Sequence, residues 1–547
     1  MSKAVIQPFE EYQKSRIMFV QTVAELATRE KHIDSLKSVG VMKLLGPLLS
    51  DPVTSIKQSA ALAIGRLARH NRELANSVIE DNGKIIKLLL DAKDTNKFYK
   101  KATCFVIASV ARHNEALAEA ISTKPAIDFL VNCLEEYDPS VKSAAVWALG
   151  YIAKHNEKLA SKVVNDNKAI SYLILCLQEP EIHIKRITIQ TITYIAKHNQ
   201  ELTTRVTDNA DHLNYILYFL VLKDTTLKVK ICNCLADMAK NSSLVASRII
   251  QELNTRQLEE CIQSPHPNVQ KSAITLINAI ASRDNLSQTV NEKIKPEQFI
   301  DFLVKNKGNS RTYGIPLIST MARDKEEIAK KYVDGKVLVP LNECIIKIIN
   351  RLDRKKDLIR DQNKKDPYDN ENHTENDINA TLACKAIADL AKHKLEITNE
   401  IADYENLPYN LLTLAITPEL PKELMVTAKD ALEQIIEHVD QLKPINSILN
   451  FSFNPHDTRL PFDKNPYHDI LVKLVKKQKD ILSQGNKNDK KYYLHSGALA
   501  KVLKLKKQYN RLEPEIPDFN GLFSGDIVNF YDEDYAENLK KDYIQKN

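Results

Sequence analysis

Four closely similar stretches of sequence decide the fold: LARHNRELA (67–75), VARHNEALA (110–118), IAKHNEKLA (152–160) and IAKHNQELT (195–203). Their histidines, His70, His113, His155 and His198, are 42 or 43 residues apart. A fixed period of this length indicates a protein built from stacked repeats, each of which completes its core only against its neighbours. We call the histidine position the anchor of its repeat.

The same pattern extends in both directions, although the anchor is not always histidine. We place the ten anchors at Arg29, His70, His113, His155, His198, Asn241, Arg283, Asp324, His393 and His438. The step from Asp324 to His393 exceeds one repeat by about 27 residues. We expect the excess, at 350–376, to be a charged, solvated loop between the second and third helices of its repeat.

The residues before each anchor have the pattern of a helix that is packed on both sides. Alanine stands two residues before nine of the ten anchors, and large apolar residues stand three and six residues before them. This spacing is helical, and alanine allows neighbouring backbones to approach closely. Each repeat contains three such segments, for example KLASKVV, AISYLILCL and IHIKRITIQTITYIAKH. The sequence therefore predicts an all-α, armadillo-repeat right-handed superhelical solenoid of about ten repeats; two-helix HEAT repeats are the alternative.

Periodicity weakens near Gln441, which predicts two parts. Residues 1–441 form the repeat array, and residues 442–547 form a partly helical C-terminal extension. We expect two Lys-rich helices in the extension, at 470–482 and 496–509, before an acidic tail.

Composition limits the classes of function. The chain has 77 basic and 71 acidic residues, and its net charge of +6 does not indicate nucleic-acid binding. It has no apolar run long enough for a membrane span and no secretory signal near Met1. Its eight cysteines then indicate a reducing, cytoplasmic compartment.

Neither metal chemistry nor catalysis is predicted. Histidines in successive repeats would be about 8–10 Å apart, too far to share one metal ion. We interpret them as closing each third helix, while the next residue (Asn71, Asn114, Asn156 or Asn199) caps the following helix. All the cysteines replace core residues of other repeats. No phosphate-binding loop, zinc-protease motif or nucleophile elbow is present, so we expect no enzyme activity, metal or cofactor.

Two columns of basic residues are candidates for partner binding. The start column lies thirteen residues before the anchor and comprises Arg16, Lys57, Lys100, Lys142, Lys185, Lys228 and Arg311. The end column lies one residue before the anchor and comprises Arg69, Arg112, Lys154, Lys197, Lys240, Arg323 and Lys392. The helix dipole favours cations in the end column but not in the start column. Both columns are read either as solvated faces or as contacts for an acidic partner.

A nuclear-import adaptor is the rival interpretation. Its groove needs a tryptophan eight residues and an asparagine four residues before several anchors. Here the corresponding residues include Trp147, Tyr151 and Tyr194, with a single tryptophan and no asparagine series. We keep these three aromatic residues as partner-binding candidates and disfavour the import function.

The chain resembles the sperm-associated antigen 6 family. The matching stretches include QPFEEYQKSRIMFVQTVAELATRE (7–30) and, outside the repeats, SGALAKV (496–502) and GDIVNFYDEDYAENL (525–539). A generic armadillo resemblance would not extend into this tail. The resemblance implies a non-catalytic scaffold of the axonemal central pair, needed for ciliary or flagellar motility. Its implied partners are tubulin in the central-pair microtubule and other central-apparatus proteins, and self-association as a homo-oligomer is left open. Its implied location is the cytoplasm and cytoskeleton, in the axoneme of the cilium or flagellum, with no nucleic acid or membrane bound. The 350–376 insertion is a departure from the family pattern.

Overall fold

Every regular element that the structure describes is a helix. The structure is a computed structural model, and it describes residues 3–91, 96–165, 168–283, 286–294, 296–305, 309–323, 326–360, 373–393, 395–441, 445 and 468–484. No strand occurs within these ranges. The chain divides into two compact units, unit 1 (1–286) and unit 2 (287–547).

The helices follow the chain in short succession. Those of unit 1 are α1 Lys3–Leu26, α2 Ile33–Ser38, α3 Val41–Leu45, α4 Thr54–His70, α5 Arg72–Asp91, α6 Lys97–Ala111, α7 Glu115–Ile121, α8 Lys124–Leu134, α9 Pro139–Ala153, α10 Glu157–Val163, α11 Lys168–Cys176, α12 Ile182–Ala196, α13 Gln200–Thr207, α14 Ala210–Tyr218, α15 Thr225–Asn241, α16 Ser243–Glu252, α17 Thr255–Ile262 and α18 Pro267–Ala281. Unit 2 begins within α19 Leu286–Lys293 and continues with α20 Pro296–Lys305, α21 Asn309–Ala322, α22 Glu326–Asp334, α23 Leu338–Arg360, α24 His373–Ala391, α25 Leu395–Asp403, α26 Leu407–Ile416, α27 Lys422–His438 and α28 His468–Gln484.

The predicted three-helix repeat is confirmed. Helices α7, α8 and α9 form the repeat that is anchored at His155, and the next three helices form the repeat that is anchored at His198. Within unit 1 the third helices are α1, α4, α6, α9, α12, α15 and α18, and each packs against the next. In unit 2 the third helices α21, α24 and α27 do the same. The fold is therefore an all-α armadillo-repeat solenoid.

One repeat departs from this pattern. Before the third helix α6, a single element, α5, occupies the place of separate first and second helices. Asp81 and Gly83 lie within it with φ angles of 53° and 70°. These left-handed residues interrupt the regular helical path between the two halves of α5.

The predicted core columns are buried. The alanines two residues before the anchors are at most 4% exposed, and Leu149 and Ile152 of α9 are inaccessible to solvent. Full burial of a leucine or isoleucine side chain contributes about 1.5–3 kcal/mol. Close packing also explains Gly150, where an added Cβ would lie 2.5 Å from Oγ1 of Thr191 on α12. Only a residue without a side chain lets α9 and α12 approach this closely.

The insertion lies between the second helix α23 and the third helix α24, as predicted. The predicted bounds of its loop, 350–376, are wrong at both ends. Helix α23 continues to Arg360, and α24 begins at His373. The helix extends past Asn350 because its buried face continues through Leu352, which is 8% exposed. Arg351 also pairs with Asp377 of α24 at 2.7 Å. Residues 361–372 lie outside the described residues.

The first predicted helix of the C-terminal extension is confirmed as α28. It packs on α27, where its Lys473 pairs with Glu433 at 2.8 Å. Leu474 and Leu482 of α28 are fully buried. The second predicted helix, at 496–509, and the acidic tail lie outside the described residues. The sequence-based division at 441 stays a prediction, since the two units divide inside the repeat array. None of the described helices has the length and apolar character to span a bilayer.

Candidate functional site

Anchor histidines connect each repeat to the one before it. Nε2 of His70 lies 3.0 Å from the carbonyl oxygen of Ala27, and Nε2 of His155 lies 2.7 Å from that of Ala111. His113 and His198 make the same contact with the alanines of their preceding repeats, at 2.7 and 2.8 Å. Because a carbonyl oxygen only accepts, Nε2 carries the proton and donates. The contact satisfies a carbonyl near the end of the preceding third helix.

Other donors make this bond where histidine is absent. Nδ2 of Asn241 donates to the Ala196 carbonyl at 2.8 Å, and Nε of Arg283 donates to the Ala239 carbonyl at 2.9 Å. At these six anchors the side chain is thus the donor of a bond to the preceding repeat. The sequence predicted only that histidine closes its helix. A hydrogen-bond donor recurs at nine of the ten anchors, and in eight of those repeats it follows an alanine by two residues. This recurrence was the available signal for the bond between repeats.

The predicted asparagine caps are confirmed. The Oδ1 atoms of four asparagines accept from backbone N–H groups three residues later, at 2.8 to 2.9 Å: Asn71, Asn114, Asn156 and Asn199. A cap of this kind stabilises a helix by about 1 kcal/mol. Each His-Asn pair therefore bonds back to the preceding repeat and begins the next one.

The start column lies between repeats. Arg16, Lys100 and Lys142 pair with Asp51, Glu136 and Glu179 of the following repeat, respectively. These acidic residues follow second helices, near the negative ends of the helix dipoles, where a cation from the neighbouring repeat is favourable.

The remaining cations of the start column have a similar environment. Lys185 Nζ donates to the Leu177 carbonyl at the end of its own second helix, and Arg311 Nε donates to the Leu303 carbonyl at 3.1 Å. Arg311 is 2% exposed and Lys185 is 8% exposed. Lys57 and Lys228 are half-buried. These positions give the start column a structural role, and its role in partner binding stays a prediction.

The end column has a different environment. Lys197 is half-buried and the other six side chains are exposed. Arg69, Arg112 and Lys154 form no ion pair with any residue that the structure describes. Lys240 pairs with Asp237 at 3.3 Å. The end-column cations without an ion pair among the described residues are therefore Arg69, Arg112, Lys154 and Lys197, at the C-terminal ends of α4, α6, α9 and α12.

A groove of about 1090 Å³ runs across the third helices α4, α6, α9 and α12 of unit 1. Four basic side chains line it: Arg66, Arg69, Lys101 and Arg112. Four aromatic side chains line it as well: Phe98, Phe105, Trp147 and Tyr151. Among the described residues that line the groove, Glu181 is the one acidic side chain. The groove thus combines positive charge with aromatic surface.

The three aromatic candidates lie at or next to this groove. Trp147 stacks on Tyr151 with ring centroids 5.2 Å apart. Nζ of Lys197 lies 5.2 Å from the ring centroid of Tyr194, and Nζ of Lys154 lies 6.0 Å from it. Burial, followed by the charge of Lys154, lowers the pKa of Lys197. Cations and rings are therefore interleaved, which favours groups that are both anionic and aromatic.

All eight cysteines are buried and free, which confirms their placement in the core. Burial raises the pKa of Cys176 and Cys234 to about 12, so their thiols stay protonated at neutral pH. Metals bind the thiolate form. Among the described residues, no three His, Cys, Asp or Glu side chains form a cluster that could hold a metal ion.

The repeat geometry and the groove define an armadillo-repeat scaffold protein. Residues 117–154 match the model of the Armadillo/beta-catenin-like repeat. The chain also has the fold of an engineered protein in a crystal structure, with a TM-score of 0.64, 18% identity, and coverage of 77% of this chain and 94% of that one. At this identity the likeness concerns the fold alone.

Among individual proteins, the chain is similar to sperm-associated antigen 6, which confirms the resemblance read from the sequence. It is 52% identical to the Mus musculus protein over 101 residues, which cover 18% of this chain and 20% of the relative. It is 50% identical to the Homo sapiens protein over 100 residues, which cover 18% and 19%. The matched stretch thus spans about a fifth of the length of each curated relative.

Proposed function

We propose that the protein is a non-catalytic scaffold of the axonemal central pair, which binds the central-pair microtubule and other central-apparatus proteins and is needed for ciliary or flagellar motility. The observation that carries this proposal is the sequence similarity to sperm-associated antigen 6. The resemblance in the tail segments 496–502 and 525–539 supports it, since those segments lie outside the repeats.

The architecture is consistent with a scaffold. Stacked repeats present the same helix face many times, so several weak contacts can act together through their high effective concentration. The groove on α4, α6, α9 and α12 has the volume and the mixed polarity of a peptide-binding surface. It differs from the groove of an import adaptor for basic peptides, because its own lining is basic.

Localisation in a ciliated cell tests the proposal. We expect a tagged full-length chain to lie along the central pair after detergent extraction, and depletion of the protein to impair motility. A tagged chain that remains diffuse in the cytoplasm, or that accumulates in the nucleus, contradicts the axonemal assignment.

Microtubule co-sedimentation tests the tubulin contact separately. We expect binding that weakens as salt increases and after removal of the acidic tubulin tails, because exposed charge contacts are screened. Charge reversal of Lys100 or Lys142 would also break an ion pair within the protein. Such variants therefore need a melting control before any loss of binding is attributed to tubulin.

A further inference from the structure

We propose that Tyr137 is a phosphorylation site, at which the phenol accepts a phosphate from a nucleoside triphosphate in the active site of a protein tyrosine kinase. Tyr137 lies in the four-residue loop 135–138 between α8 and α9. It is not among the residues that line the groove, so the inference concerns a different feature of the molecule and does not depend on the axonemal location.

The Tyr137 ring makes almost no contact with the rest of the protein. The residue is 99% exposed, whereas Val426, the next most exposed large hydrophobic residue among those described, is 66% exposed. Eighteen residues before their anchors, other repeats have Pro52, Pro180 or Lys223 at the equivalent position. The fold therefore does not require an aromatic ring here, and the phenol is open to an enzyme.

Two ion pairs hold the loop in place. Glu136 pairs with Lys100, and Asp138 pairs with Lys97 at 2.9 Å, with both lysines on α6 of the preceding repeat. Successive side chains alternate in direction along an extended segment, and Asp138 has extended backbone angles, φ −80° and ψ 116°. Because both of its neighbours face α6, the side chain of Tyr137 faces solvent.

The sequence beside Tyr137 is acidic. Glu135, Glu136 and Asp138 flank it, and Glu135 is exposed without an ion pair among the described residues. In the described part of the chain, the main-chain N–H and carbonyl of Tyr137 form no hydrogen bond with other backbone groups. A kinase that binds its substrate as an extended segment in a cationic cleft can use both the carboxylates and these main-chain groups.

The transfer itself needs only the phenol, the nucleoside triphosphate and the kinase. Oη of Tyr137 attacks the γ-phosphorus, and an Oη–P bond forms as the bond from that phosphorus to the β,γ-bridging oxygen breaks. The nucleoside diphosphate leaves, and the phenol proton passes to a carboxylate of the kinase. The phosphate adds about −1.5 to −2 charges at neutral pH beside the two ion pairs.

The chain contains a matched comparison, because Glu-Glu-Tyr occurs both at 10–12 and at 135–137. Tyr12 is 58% exposed, but it lies within the long helix α1 instead of in a loop. The guanidinium carbon of Arg16 also lies 4.9 Å from the centroid of the Tyr12 ring. The two tyrosines therefore share the acidic residues on their N-terminal side and differ in backbone conformation.

Labelling of the full-length chain by a purified tyrosine-kinase domain with ATP tests the proposal, and mass spectrometry gives the initial rate at each tyrosine. Synthetic peptides of residues 6–18 and 131–143 give the rates without the fold. We expect Tyr137 to be labelled in the folded chain within about threefold of its peptide rate, since the loop is already open. Tyr12 should be at least about tenfold slower than in its peptide, because α1 must unwind first. No label at Tyr137, or a slowing equal to that of Tyr12, would overturn the proposal.

Charge reversal tests the acidic flank. Glu135→Lys should slow the labelling of Tyr137 about threefold, because an exposed carboxylate contact with the enzyme is lost. Glu252→Lys is the control, since it changes net charge equally at an exposed residue at the end of α16 and should leave the rate unchanged. Melting of both variants checks that they fold. Equal slowing by both would show that total charge attracts the enzyme, and would overturn the role assigned to the flank.

Discussion

The third helices α9 and α12 of unit 1 and α24 of unit 2 occupy equivalent positions in their repeats, but their exposed charges differ. Four residues before the anchor, α9 and α12 have Tyr151 and Tyr194, whereas α24 has Asp389. Asp389 is 5% exposed, accepts from the Ser319 hydroxyl, and pairs with Lys392 at 3.2 Å.

That single position determines whether the end column is available. Arg323 also approaches Asp389, at 3.8 Å, and in unit 1 Asp237 pairs with Lys240. On α9, the neighbour of Lys154 at this position is an uncharged ring. The comparison teaches that a regular repeat does not give a uniform binding surface. An acidic residue about one helical turn before an end-column cation neutralises the charge of that cation.

The largest effect is expected from the bond between repeats. His155→Ala should lower the free energy of unfolding by about 1–3 kcal/mol, because the Ala111 carbonyl loses its donor. His155→Asn should restore much of the loss, since Asn241 makes the same bond. Urea unfolding followed by circular dichroism measures both.

His438→Ala is the control for this experiment, because Nδ1 of His438 contacts the Gln434 carbonyl of its own helix, at 2.9 Å. His438→Ala should lower the free energy of unfolding by less than His155→Ala does. Equal costs for the two alanine variants, or no recovery with asparagine, would mean that the histidines act only within their own repeats.

Exchanging the residues four before the anchor tests the charge comparison directly. Tyr194→Asp would place a carboxylate next to Lys197 and Lys154 and should weaken co-sedimentation with microtubules by about two- to fivefold. Asp237→Tyr would release Lys240 and should strengthen binding by about twofold. Microtubule co-sedimentation at one salt concentration measures both variants; effects of the same sign would contradict the neutralisation argument.

A smaller effect is expected when the coupling energies of a half-buried and an exposed ion pair are compared. Lys142 and Glu179 have side chains that are 17% and 18% exposed, whereas those of Lys330 and Glu396 in unit 2 are 43% and 68% exposed. Double-mutant cycles with glutamine should find a coupling energy of about 0.5–1 kcal/mol for the first pair and close to zero for the second. A larger coupling for the exposed pair would remove the structural role assigned to the start column.

The smallest effect concerns pH. Burial lowers the pKa of His198, so below about pH 6.5 the unfolded chain binds more protons than the folded one. The stabilisation that the neutral, half-buried His198 provides is complete above that pH and is lost as pH falls through the pKa of His198 in the folded protein. We expect His198→Asn to reduce this loss between neutral and mildly acid pH, as measured by urea unfolding. The same pH dependence in both proteins would assign it to other groups.

Much of the fold was predictable because repetition amplifies a weak local pattern. The alanine column, the apolar stripe and the Asn71, Asn114, Asn156 and Asn199 caps each depend on residues close in sequence. The loop over 350–376 was predicted wrongly at its ends because charged surface residues conceal the buried face of a helix, here at Leu352.

The candidate site was predicted only in part. Its aromatic members and the end-column residues Arg69 and Arg112 lie at or beside the groove, but the partners of the start column lie about 35 residues further along the chain.

The sequence by itself determined the repeat period, the three helices of each repeat and the residues that face the core, since helical periodicity and capping are local properties. Only the tertiary structure decided which cations are available to a partner. Residues one repeat apart meet only after the helices stack, and then Lys142 lies against Glu179 while Arg69 and Arg112 keep no acidic neighbour among the described residues. The free energy of a charge depends on what surrounds it, and that is fixed by packing between repeats.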